Sequence, residues 1–404
     1  MPPPPRALII GAGVAGSTLA FWLAQANMHA TIIERSHHSF RSGQGIDVEG
    51  PAREVARRMG VEEEILARTT GEQGFAILDD SGKMLASVEG IVTRSVEILR
   101  GDLVDVLVGA AGGLENVEIR FGVSIKEIRQ DDGGVVATFS DGREERFDFV
   151  IGADGSRSKT RQLVFDKEEN EMALRPIGVY CSFFQIPRQQ EDWPYGRVQH
   201  AVGNRSVVVR PAHANTSAAY ASLATESQAL YEAFQTGDRQ VQKRAIGELF
   251  GDVGGIAPRV MKQMMNSKDF YFERLAQVKL SSWSRGRVAL VGDAAYSPTP
   301  LTGAGTNLAL VGAYVLAGEM SKSPEDPAAA FKAYEDRLKE FVEKSQTIAL
   351  GGRAPQLFNP ATAWGIWVLR TLFRFIAWTG LWKLFNIAEP QAFELPEYPA
   401  FVSS

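Results

Sequence analysis

Apolar residues near the start of the chain first follow a strand pattern and then a helical one. Residues Arg6 to Gly11 (RALIIG) form a short apolar run bounded by proline and glycine, which is typical of a buried strand. After Gly16 the apolar positions continue at helical spacing through Phe21 and Leu23, and Ala30 to Glu34 (ATIIE) is a second strand-like run. The pattern predicts a βαβ unit at the very start of the chain.

The middle of the chain is dominated by strand patterns. Residues 135–139 and 146–151 flank the turn Ser140-Asp141-Gly142, which predicts a hairpin that leads into FVIGADG. From Ile177 to Thr225 the β-prone runs lengthen (VYCSFFQIP, RVQHAVG, RSVVVRP, SAAYASLAT), and we interpret them as one antiparallel sheet in a second lobe. A helical stretch is predicted next, over residues 227–250.

The first lobe resumes at residues 287–291 (RVALV), another buried-strand pattern. A loop rich in proline and glycine and a small-residue helix over residues 307–320 follow it. Ser323-Pro324-Glu325-Asp326 then places a capping Ser, a Pro at the first helical position and acids in the first turn. These residues predict the start of another helix, which Phe331 and Tyr334 continue at helical spacing.

The most apolar stretch, residues 364–385, contains four tryptophans. Arg370 and Arg374 lie inside it and Gly380 interrupts it, so a membrane-spanning helix is disfavoured. We expect a helix or helix pair that covers the core beside the second lobe. A homodimer contact or a peripheral membrane contact is the alternative.

Composition narrows the class of protein further. With 404 residues the chain is long enough for two lobes, and its net charge of -5 gives no basic field for nucleic acid. The single cysteine, Cys181, excludes an intramolecular disulfide framework, and no signal peptide precedes the first strand, so we expect a cytoplasmic protein. No metal is expected, because metal-ligand spacing is absent among the histidines at 29, 37, 38, 200 and 213.

The loop after the first strand predicts a dinucleotide site. Gly11-Ala12-Gly13-Val14-Ala15-Gly16 fits G-x-G-x-x-G between a strand and a helix, where glycines let a pyrophosphate approach the backbone. Glu34 ends the second strand, where a carboxylate can accept hydrogen bonds from a ribose diol. That carboxylate would repel a 2′-phosphate, so the ligand is FAD or NAD rather than NADP. Arg35 either lies along the adenosine or is a solvated surface residue.

Two later motifs also follow strands. They are Gly152-Ala153-Asp154-Gly155-Ser156-Arg157-Ser158 and Gly292-Asp293-Ala294-Ala295. With the first glycine loop, they resemble the three fingerprints of the class A flavoprotein monooxygenases, the para-hydroxybenzoate hydroxylase-like family. Two shorter pieces add to the likeness. Leu99-Arg100-Gly101-Asp102-Leu103 resembles the R-x-x-L segment of that family, and Gly43-Gln44-Gly45-Ile46-Asp47 resembles a loop of its tetracycline-inactivating branch.

The resemblance implies an α/β fold with a Rossmann-like FAD-binding domain in discontinuous segments. An α+β substrate domain built on an antiparallel sheet and a C-terminal helical segment complete it. The expected segments are 1–73, 99–174 and 276–322 for the FAD-binding domain, 74–98 and 175–275 for the substrate domain, and 323–404 for the C-terminal helices.

The resemblance also assigns cofactor contacts residue by residue. Asp293 is expected to bind ribityl or ribose hydroxyls, Arg100 and Asp47 to touch the FAD, and Arg41 to meet the pyrophosphate or incoming NADPH. Asp154 and Arg157 inherit a mixed cofactor and structural role. For Asp154, a carboxylate that only satisfies turn amides is an equal alternative.

The loop that starts at Pro300 is expected to contact the flavin through Gly303, Ala304 and Gly305. The helix start that follows would aim free backbone N–H groups at the flavin and stabilise its anionic reduced form. The sequence departs from the family at two positions: Tyr296 replaces a common His, and Gly312 replaces a common acid.

By resemblance, the chain is an enzyme that holds FAD non-covalently and takes electrons from NADPH or NADH. It would transfer oxygen from O₂, through a flavin C4a-hydroperoxide, to a small aromatic or polyketide-like substrate. The alternatives are another FAD-dependent oxidoreductase or halogenase on the same fold, or a non-catalytic flavin-binding protein. The weak candidates for substrate contact lie on strands of the second lobe: Tyr180, Gln199, His200 and Arg210.

Overall fold

The computed structural model describes residues 3–38, 44–89, 96–384 and 392–401. The strands within these ranges are β1 (Arg6–Ile10), β2 (His29–Glu34), β3 (Gly45–Asp47), β4 (Gly74–Leu78), β5 (Met84–Glu89), β6 (Glu97–Leu99), β7 (Val117–Phe121), β8 (Ile125–Asp131), β9 (Gly134–Phe139), β10 (Glu144–Phe147), β11 (Phe149–Gly152), β12 (Leu174–Pro187), β13 (Tyr195–Ala201), β14 (Arg205–Pro211), β15 (Thr216–Leu223), β16 (Tyr271–Val278), β17 (Ser284–Arg285) and β18 (Val288–Leu290).

The α-helices within the same ranges are α1 (Val14–Gln25), α2 (Gly50–Arg58), α3 (Glu62–Ala67), α4 (Arg100–Gly112), α5 (Lys159–Val164), α6 (Lys167–Ala173), α7 (Gln228–Thr236), α8 (Arg239–Leu249), α9 (Ala257–Asn266), α10 (Asp293–Tyr296), α11 (Gly305–Lys322), α12 (Pro327–Ser345), α13 (Ala354–Phe358) and α14 (Ala363–Thr379).

A largely parallel sheet in the order β17-β18-β11-β1-β2-β7 forms the centre of the first lobe. β1 pairs in parallel with both β2 and β11, so the predicted βαβ unit is confirmed. Leu8 and Ile9 are fully buried on opposite faces, as a strand between two layers requires. One face carries α1, α4 and α11, and the small sheet β10-β9-β8 covers the other. The mixed α/β class and the Rossmann-like fold are confirmed.

The helix predicted over 307–320 runs over Gly305–Lys322, and its residues from Thr306 to Met320 are all buried. It packs against α1, α2 and α12. A helix that is apolar on every side is typical of the centre of a lobe, and the first turns of α11 lie next to Gly292 at the end of β18.

A seven-stranded sheet in the order β16-β12-β15-β14-β13-β4-β5 forms the second lobe. Alternation along β12 divides its side chains between two faces. Tyr180 and Phe184 pack with α7, α8 and α9, whereas Cys181 and Phe183 lie on the opposite face. The predicted antiparallel sheet is confirmed, and only the β13–β4 pair within it is parallel among the described pairings.

Two predicted helix boundaries were wrong. The stretch 227–250 is two helices, because Gly237 adopts φ +66 and Asp238 caps α8 through the amides of Gln240 and Val241. The helix expected from Ser323 begins at Pro327 instead, and Asp326 accepts a hydrogen bond from the Ala329 amide. The pair Asp326-Pro327 follows the pair Ser323-Pro324 three residues later, and it supplies the cap and the first-turn proline.

The apolar C-terminal stretch begins with α14, which packs against β5 and β13 at the edge of the second sheet. Gly380 ends the helix with φ +68. No described helix is both long and apolar enough to cross a bilayer. The stretch thus covers the second lobe as predicted.

The division into six domain segments stays a prediction. Sheet membership supports it, because β4 and β5 join the second-lobe sheet from within 74–98 and β18 joins the first-lobe sheet from within 276–322.

Residues 392–401 return over the first lobe and close an aromatic cluster. The Tyr398 ring is fully buried, contacts Tyr314 and Phe401, and donates its hydroxyl to Glu319 Oε1 at 2.8 Å. We expect Tyr398→Ala to lower the free energy of unfolding by about 3–5 kcal/mol, as for other buried aromatic truncations. Tyr398→Phe should cost less, about 1.5–3 kcal/mol, because it removes only the hydroxyl, which bonds to the Glu319 carboxylate and lies 3.4 Å from the Val315 carbonyl oxygen.

Urea unfolding of both variants measures the two costs. Met172→Ala, an exposed apolar truncation, is the control and should stay within about 0.5 kcal/mol of the wild type. Equal stability of Tyr398→Ala and the wild type would show that this segment does not support the first lobe.

Candidate flavin site

The first glycine loop is held by contacts that only glycine permits. Gly11 has φ +111, and a Cβ there would lie 2.6 Å from the Ala153 carbonyl oxygen. A Cβ on Gly16 would lie 2.0 Å from the Gly11 carbonyl oxygen. Around Gly13, however, a Cβ would meet nothing within 4 Å, so that side of the loop is open. A pyrophosphate can approach the backbone there.

The start of α1 supplies donors to the same open side. Gly13 caps the helix without a side-chain hydrogen bond, so its first N–H groups have no side-chain acceptor. Val14 and Ala15 are buried and contribute amides rather than side chains. A helix end of this kind favours an anion through both its amides and its dipole.

Glu34 lies beside this loop. Its Oε2 accepts from the Ala12 amide at 3.1 Å, and its Oε1 accepts from the Ser36 amide at 2.9 Å. The carboxylate thus fixes the end of β2 against the glycine loop and keeps lone pairs for a ribose. Arg35 is exposed. Ribose and adenosine contacts by these two residues stay predictions.

In the second motif Asp154 acts within its own turn. Its carboxylate accepts from the Ser158 hydroxyl at 2.5 Å and from the Thr160 amide at 2.9 Å. These bonds account for the structural alternative that the sequence left open, and contact with a cofactor stays a prediction. Arg157 is exposed and stacks on the Phe234 ring of the second lobe at 4.0 Å.

Sequence reasoning missed Arg161, which is buried between the second and third motifs. It donates to the Ser156 and Ala294 carbonyls, both at 2.8 Å, and to Asn170 Oδ1. Burial lowers the pKa of its guanidinium. Since its partners are carbonyls far apart in the chain, no local pattern could have singled it out.

The third motif packs directly on the first. Gly292 has φ +64, and a Cβ there would lie 2.9 Å from the Ala15 Cβ. Asp293 begins α10, and a Cβ on Gly305 would lie 4.0 Å from its Oδ1. The predicted contact loop therefore reaches the same place as Asp293.

That loop exposes backbone at its glycine, beside the exposed side chains of Pro300 and Leu301. Gly303 has φ +67 and open space beside it, and Pro300 is exposed. Ala304 caps α11 without a side-chain hydrogen bond. The free amides of the α11 start are available to an electron-rich ring edge, as the sequence predicts.

Charged groups from both lobes meet around Asp293. Burial raises the pKa of Asp293, and the charge of Arg100 and a hydrogen bond with Ser297 oppose that rise. Burial also raises the pKa of Glu273 on β16, and a hydrogen bond with Tyr271 and the charges of Arg157 and Arg100 oppose it. Arg100 thus acts on carboxyl groups of both lobes, and Glu273 is a second residue that sequence reasoning missed.

Several buried polar atoms near these turns have no hydrogen-bond partner within the described ranges. They are Gln44 Oε1, Thr299 Oγ1 and Asn307 Oδ1. Buried polar atoms are rarely left unpaired in folded proteins. Unpaired oxygens, open glycine backbone and two uncapped helix starts fit a ligand with a pyrophosphate, hydroxyl groups and a polar ring, as FAD has.

Comparisons with known proteins agree with this geometry. The family model described as FAD binding domain matches residues 6–347. Monooxygenase CTB7 of Cercospora beticola is 43% identical over an alignment of 408 positions, which covers 97% of this chain and 97% of its own. A flavin-dependent monooxygenase of Legionella longbeachae is 37% identical over 84% of this chain and 87% of its own.

A solved structure agrees as well. The crystal structure of tetracycline destructase Tet(51) has a TM-score of 0.80 and 31% identity to this protein, and covers 96% of this chain and 100% of its own. This chain is a flavin-dependent monooxygenase of the FAD-binding-domain family. The predicted family, the FAD cofactor and the enzyme class are confirmed.

The two departures of this monooxygenase from its family turn out to be one feature. A Cβ on Gly312 would lie 2.0 Å from the Tyr296 hydroxyl, so the tyrosine occupies space that a side chain on α11 would fill. The hydroxyl lies 2.9 Å from that of Tyr334, which donates to the Leu290 carbonyl. The position of the Tyr296 side chain therefore requires a glycine at position 312.

Three of the four weak substrate candidates of the monooxygenase have structural partners. Gln199 bonds to the Gly254 carbonyl and the Ile256 amide, and Tyr180 donates to Glu226 Oε2 at 3.0 Å on the helix-covered face. The Arg210 side chain is 14% exposed and pairs with the buried Glu72 at 2.6 Å and Glu97 at 2.7 Å. These bonds account for the placement of the three side chains without a substrate. Contact of these side chains with a substrate stays a prediction.

His200 is also buried, and its Nδ1 has no hydrogen-bond partner in the described structure. Burial and the charge of Arg370 lower its pKa to about 4, although a hydrogen bond with the Phe358 backbone acts in the opposite direction. The imidazole is therefore neutral at neutral pH and cannot donate a proton there as an imidazolium.

Asp47 lies on β3 opposite Glu97 of β6. Burial raises the pKa of Glu97 to about 7, Arg210 opposes this, and Glu72 and Asp47 add to it. The Asp47 segment thus rests on a buried charge cluster that extends to the second lobe. Its contact with FAD stays a prediction, and Arg41 lies outside the described residues.

The Tyr296–Gly312 pair can be tested by a double-mutant cycle. We expect Gly312→Ala to destabilise the monooxygenase by about 1–3 kcal/mol through overpacking. In a Tyr296→Phe background the same change should cost less than half as much, because the nearest remaining ring atom is 3.2 Å away. Urea unfolding of the four proteins gives the coupling energy. Additive costs would show that the two positions are independent.

His200 should make stability depend on pH. Its folded pKa lies below the unfolded value of 6.5, so only the unfolded chain binds the proton between those values. Stability from this group is present above pH 6.5 and is lost as the pH falls toward 4. Relative to His200→Gln, the wild type should lose about 2 kcal/mol between about pH 7.5 and about pH 5 in urea unfolding. Parallel pH curves for the two proteins would contradict the shift.

Proposed function

We propose that the enzyme uses NADPH or NADH and O₂ to hydroxylate or oxygenate a small aromatic or polyketide-like substrate, with FAD held non-covalently. When bound, FAD accepts the hydride and activates O₂, which is chemistry that the cofactor itself supplies. The groups of this chain would bind and orient the substrate and exclude water. A cytoplasmic location is part of the proposal, because the single cysteine, Cys181, is buried and reduced.

One observation carries the proposal: the second-lobe sheet presents an aromatic face toward residues that are predicted to bind the flavin. Phe183, Tyr220 and Tyr271 lie on the face opposite the covering helices, with ring centroids 5.2 Å and 5.8 Å from Phe183. The Tyr220 hydroxyl accepts from the Gly45 amide at 3.2 Å, so this face meets the segment of Asp47. Flat aromatic walls suit a planar aromatic substrate.

Electrostatics of that face support orientation rather than nucleophilic or general-base catalysis by the protein. Burial raises the pKa of the Cys181 thiol, which is therefore protonated at neutral pH. Burial likewise raises the pKa of the Tyr271 hydroxyl, and Glu273 adds to the rise while Arg100 opposes it. Two neutral donors and a carboxyl group beside an aromatic wall can hold a phenol or an enol in one orientation.

The name of one similar structure also supports this substrate class. That protein is named a tetracycline destructase. We therefore expect a fused-ring or polyketide-like aromatic rather than a single small acid. Another FAD-dependent oxidation, a halogenation and a non-catalytic role are the alternatives that the assay must separate.

The test uses the FAD-loaded protein with NADPH or NADH, ¹⁸O₂ and a panel of naphthols, anthraquinones and tetracycline. We expect one compound to stimulate NAD(P)H and O₂ consumption and to gain one ¹⁸O atom, as measured by mass spectrometry. Dehydrogenated product without ¹⁸O would favour another oxidation, and halide-dependent product would favour a halogenase. Flavin binding without turnover on any compound would favour the non-catalytic role.

Phe183 and Phe184 form a matched pair for locating the substrate, since both are buried and adjacent but lie on opposite faces. Phe183→Leu should raise KM for the stimulating compound about tenfold, the loss expected for one aromatic contact of roughly 1.4 kcal/mol. Phe184→Leu should lose comparable stability while KM stays within about twofold. An equal effect of both substitutions on KM would show that the substrate does not use this face.

A further inference from the structure

The outward face of α14 exposes large aromatic side chains in one stripe. Trp364, Trp367 and Trp378 are 73%, 62% and 83% exposed, and Phe375 is 50% exposed. Their spacing of 3, 8 and 3 residues places them along one side of the helix. These four side chains and that of Leu372 form the aromatic stripe.

The inner side of α14 is apolar as well. Ile366 is buried, and the helix packs on β5 and β13 of the second-lobe sheet. Apolar helix faces are ordinarily covered. Among the described residues only the inner side of α14 is covered, and an exposed apolar patch of this kind marks an interaction surface.

Charge indicates the kind of partner. The chain has 48 acidic residues, yet none occurs between Lys344 and Glu389, a stretch that contains Arg353, Arg370, Arg374 and Lys383. Arg370 is neutralised by Asp80 at 2.7 Å. Arg374 is exposed next to the stripe and has no ion-pair partner in the described parts of the chain. The stripe is thus flanked by cationic charge in a protein of net charge -5.

A second copy of the chain would be a poor occupant of this face. A twofold contact pairs a surface with itself, so it would bring the arginines of two α14 helices together with no acid on either helix to neutralise them. A surface of opposite charge with an apolar layer beneath it does not have this cost. An anionic lipid bilayer has that composition, and Trp with Arg is the side-chain pair favoured at its interface.

We propose that α14 docks the enzyme on anionic membrane surfaces, with the aromatic stripe inserted among the headgroups and Arg374 paired with lipid phosphate or carboxylate. The helix has 17 residues and lies along the surface without spanning it. The membrane is thus a partner of the folded enzyme and leaves its flavin site intact.

The test is flotation of the full-length FAD-loaded protein with vesicles of phosphatidylcholine alone or with phosphatidylserine added. We expect binding to phosphatidylserine vesicles that exceeds binding to phosphatidylcholine by at least about tenfold and falls with salt. Trp367→Gln/Trp378→Gln should lower the bound fraction about tenfold or more, and Arg374→Glu about fivefold or more. The matched control Met172→Gln/Met265→Gln, which changes two exposed apolar residues elsewhere, should bind as the wild type does.

Flavin absorbance and thermal unfolding check that each variant is folded, and the substituted side chains are exposed. Absence of flotation by the wild type, or unchanged flotation of the Trp variant, would overturn the proposal. Sedimentation velocity tests whether a second copy of the chain occupies the stripe instead. A wild-type dimer that becomes a monomer in the Trp variant, together with absence of vesicle binding, would assign the stripe to that second copy.

Discussion

The predicted flavin site depends on the close approach of three backbone turns. A single added methyl group at any of their contacts would force the turns apart. Gly16 lies against the Gly11 carbonyl, Gly11 against the Ala153 carbonyl, and Gly292 against Ala15. These contacts tie the start of α1 to the ends of β11 and β18, strands that are more than a hundred residues apart in sequence. Since each contact fixes the next, the position of one turn determines where the phosphates, the ribityl chain and the ring can lie.

Buried charges then couple the second lobe to this frame. Arg210 of β14 reaches Glu72 and Glu97, and Glu97 lies three residues before Arg100, which acts on Asp293. Breaking such a pair would leave an uncompensated buried charge, so the arrangement is held in one geometry. Arg161 does the same between the second and third motifs by using carbonyl acceptors. A series of charge contacts consequently connects the second-lobe sheet with the turns predicted to bind the cofactor.

Sequence reasoning reached what short-range physics determines. The strands, the glycine loops and the family were predictable, because φ above zero, apolar runs and motif spacing are local properties. It failed where a partner comes from elsewhere in the chain. Arg161 and Glu273 have no local signature, and the pairing of Arg210 with Glu72 and Glu97 could not be predicted because these residues are more than 100 positions apart in sequence. The helix boundary at Ser323 was wrong because two Ser/Asp-Pro starts compete within four residues and only packing selects between them.

The Tyr296–Gly312 pair shows how a family can change a site without losing the fold. Two departures that look unrelated in sequence meet in space, since the hydroxyl of one fills the position of a side chain on the other. Tyr296 also packs on Trp283 and lies two residues before Pro298, whose carbonyl accepts from Gln277 of β16. Tyr296 therefore lies between the Gly292-Asp293 motif and β16, the strand that carries Tyr271 and Glu273. The two lobes join at this place. A change at this joint can alter the face of the second-lobe sheet while the close glycine contacts between the three turns stay as they are. The cofactor is therefore easier to infer from sequence than the substrate.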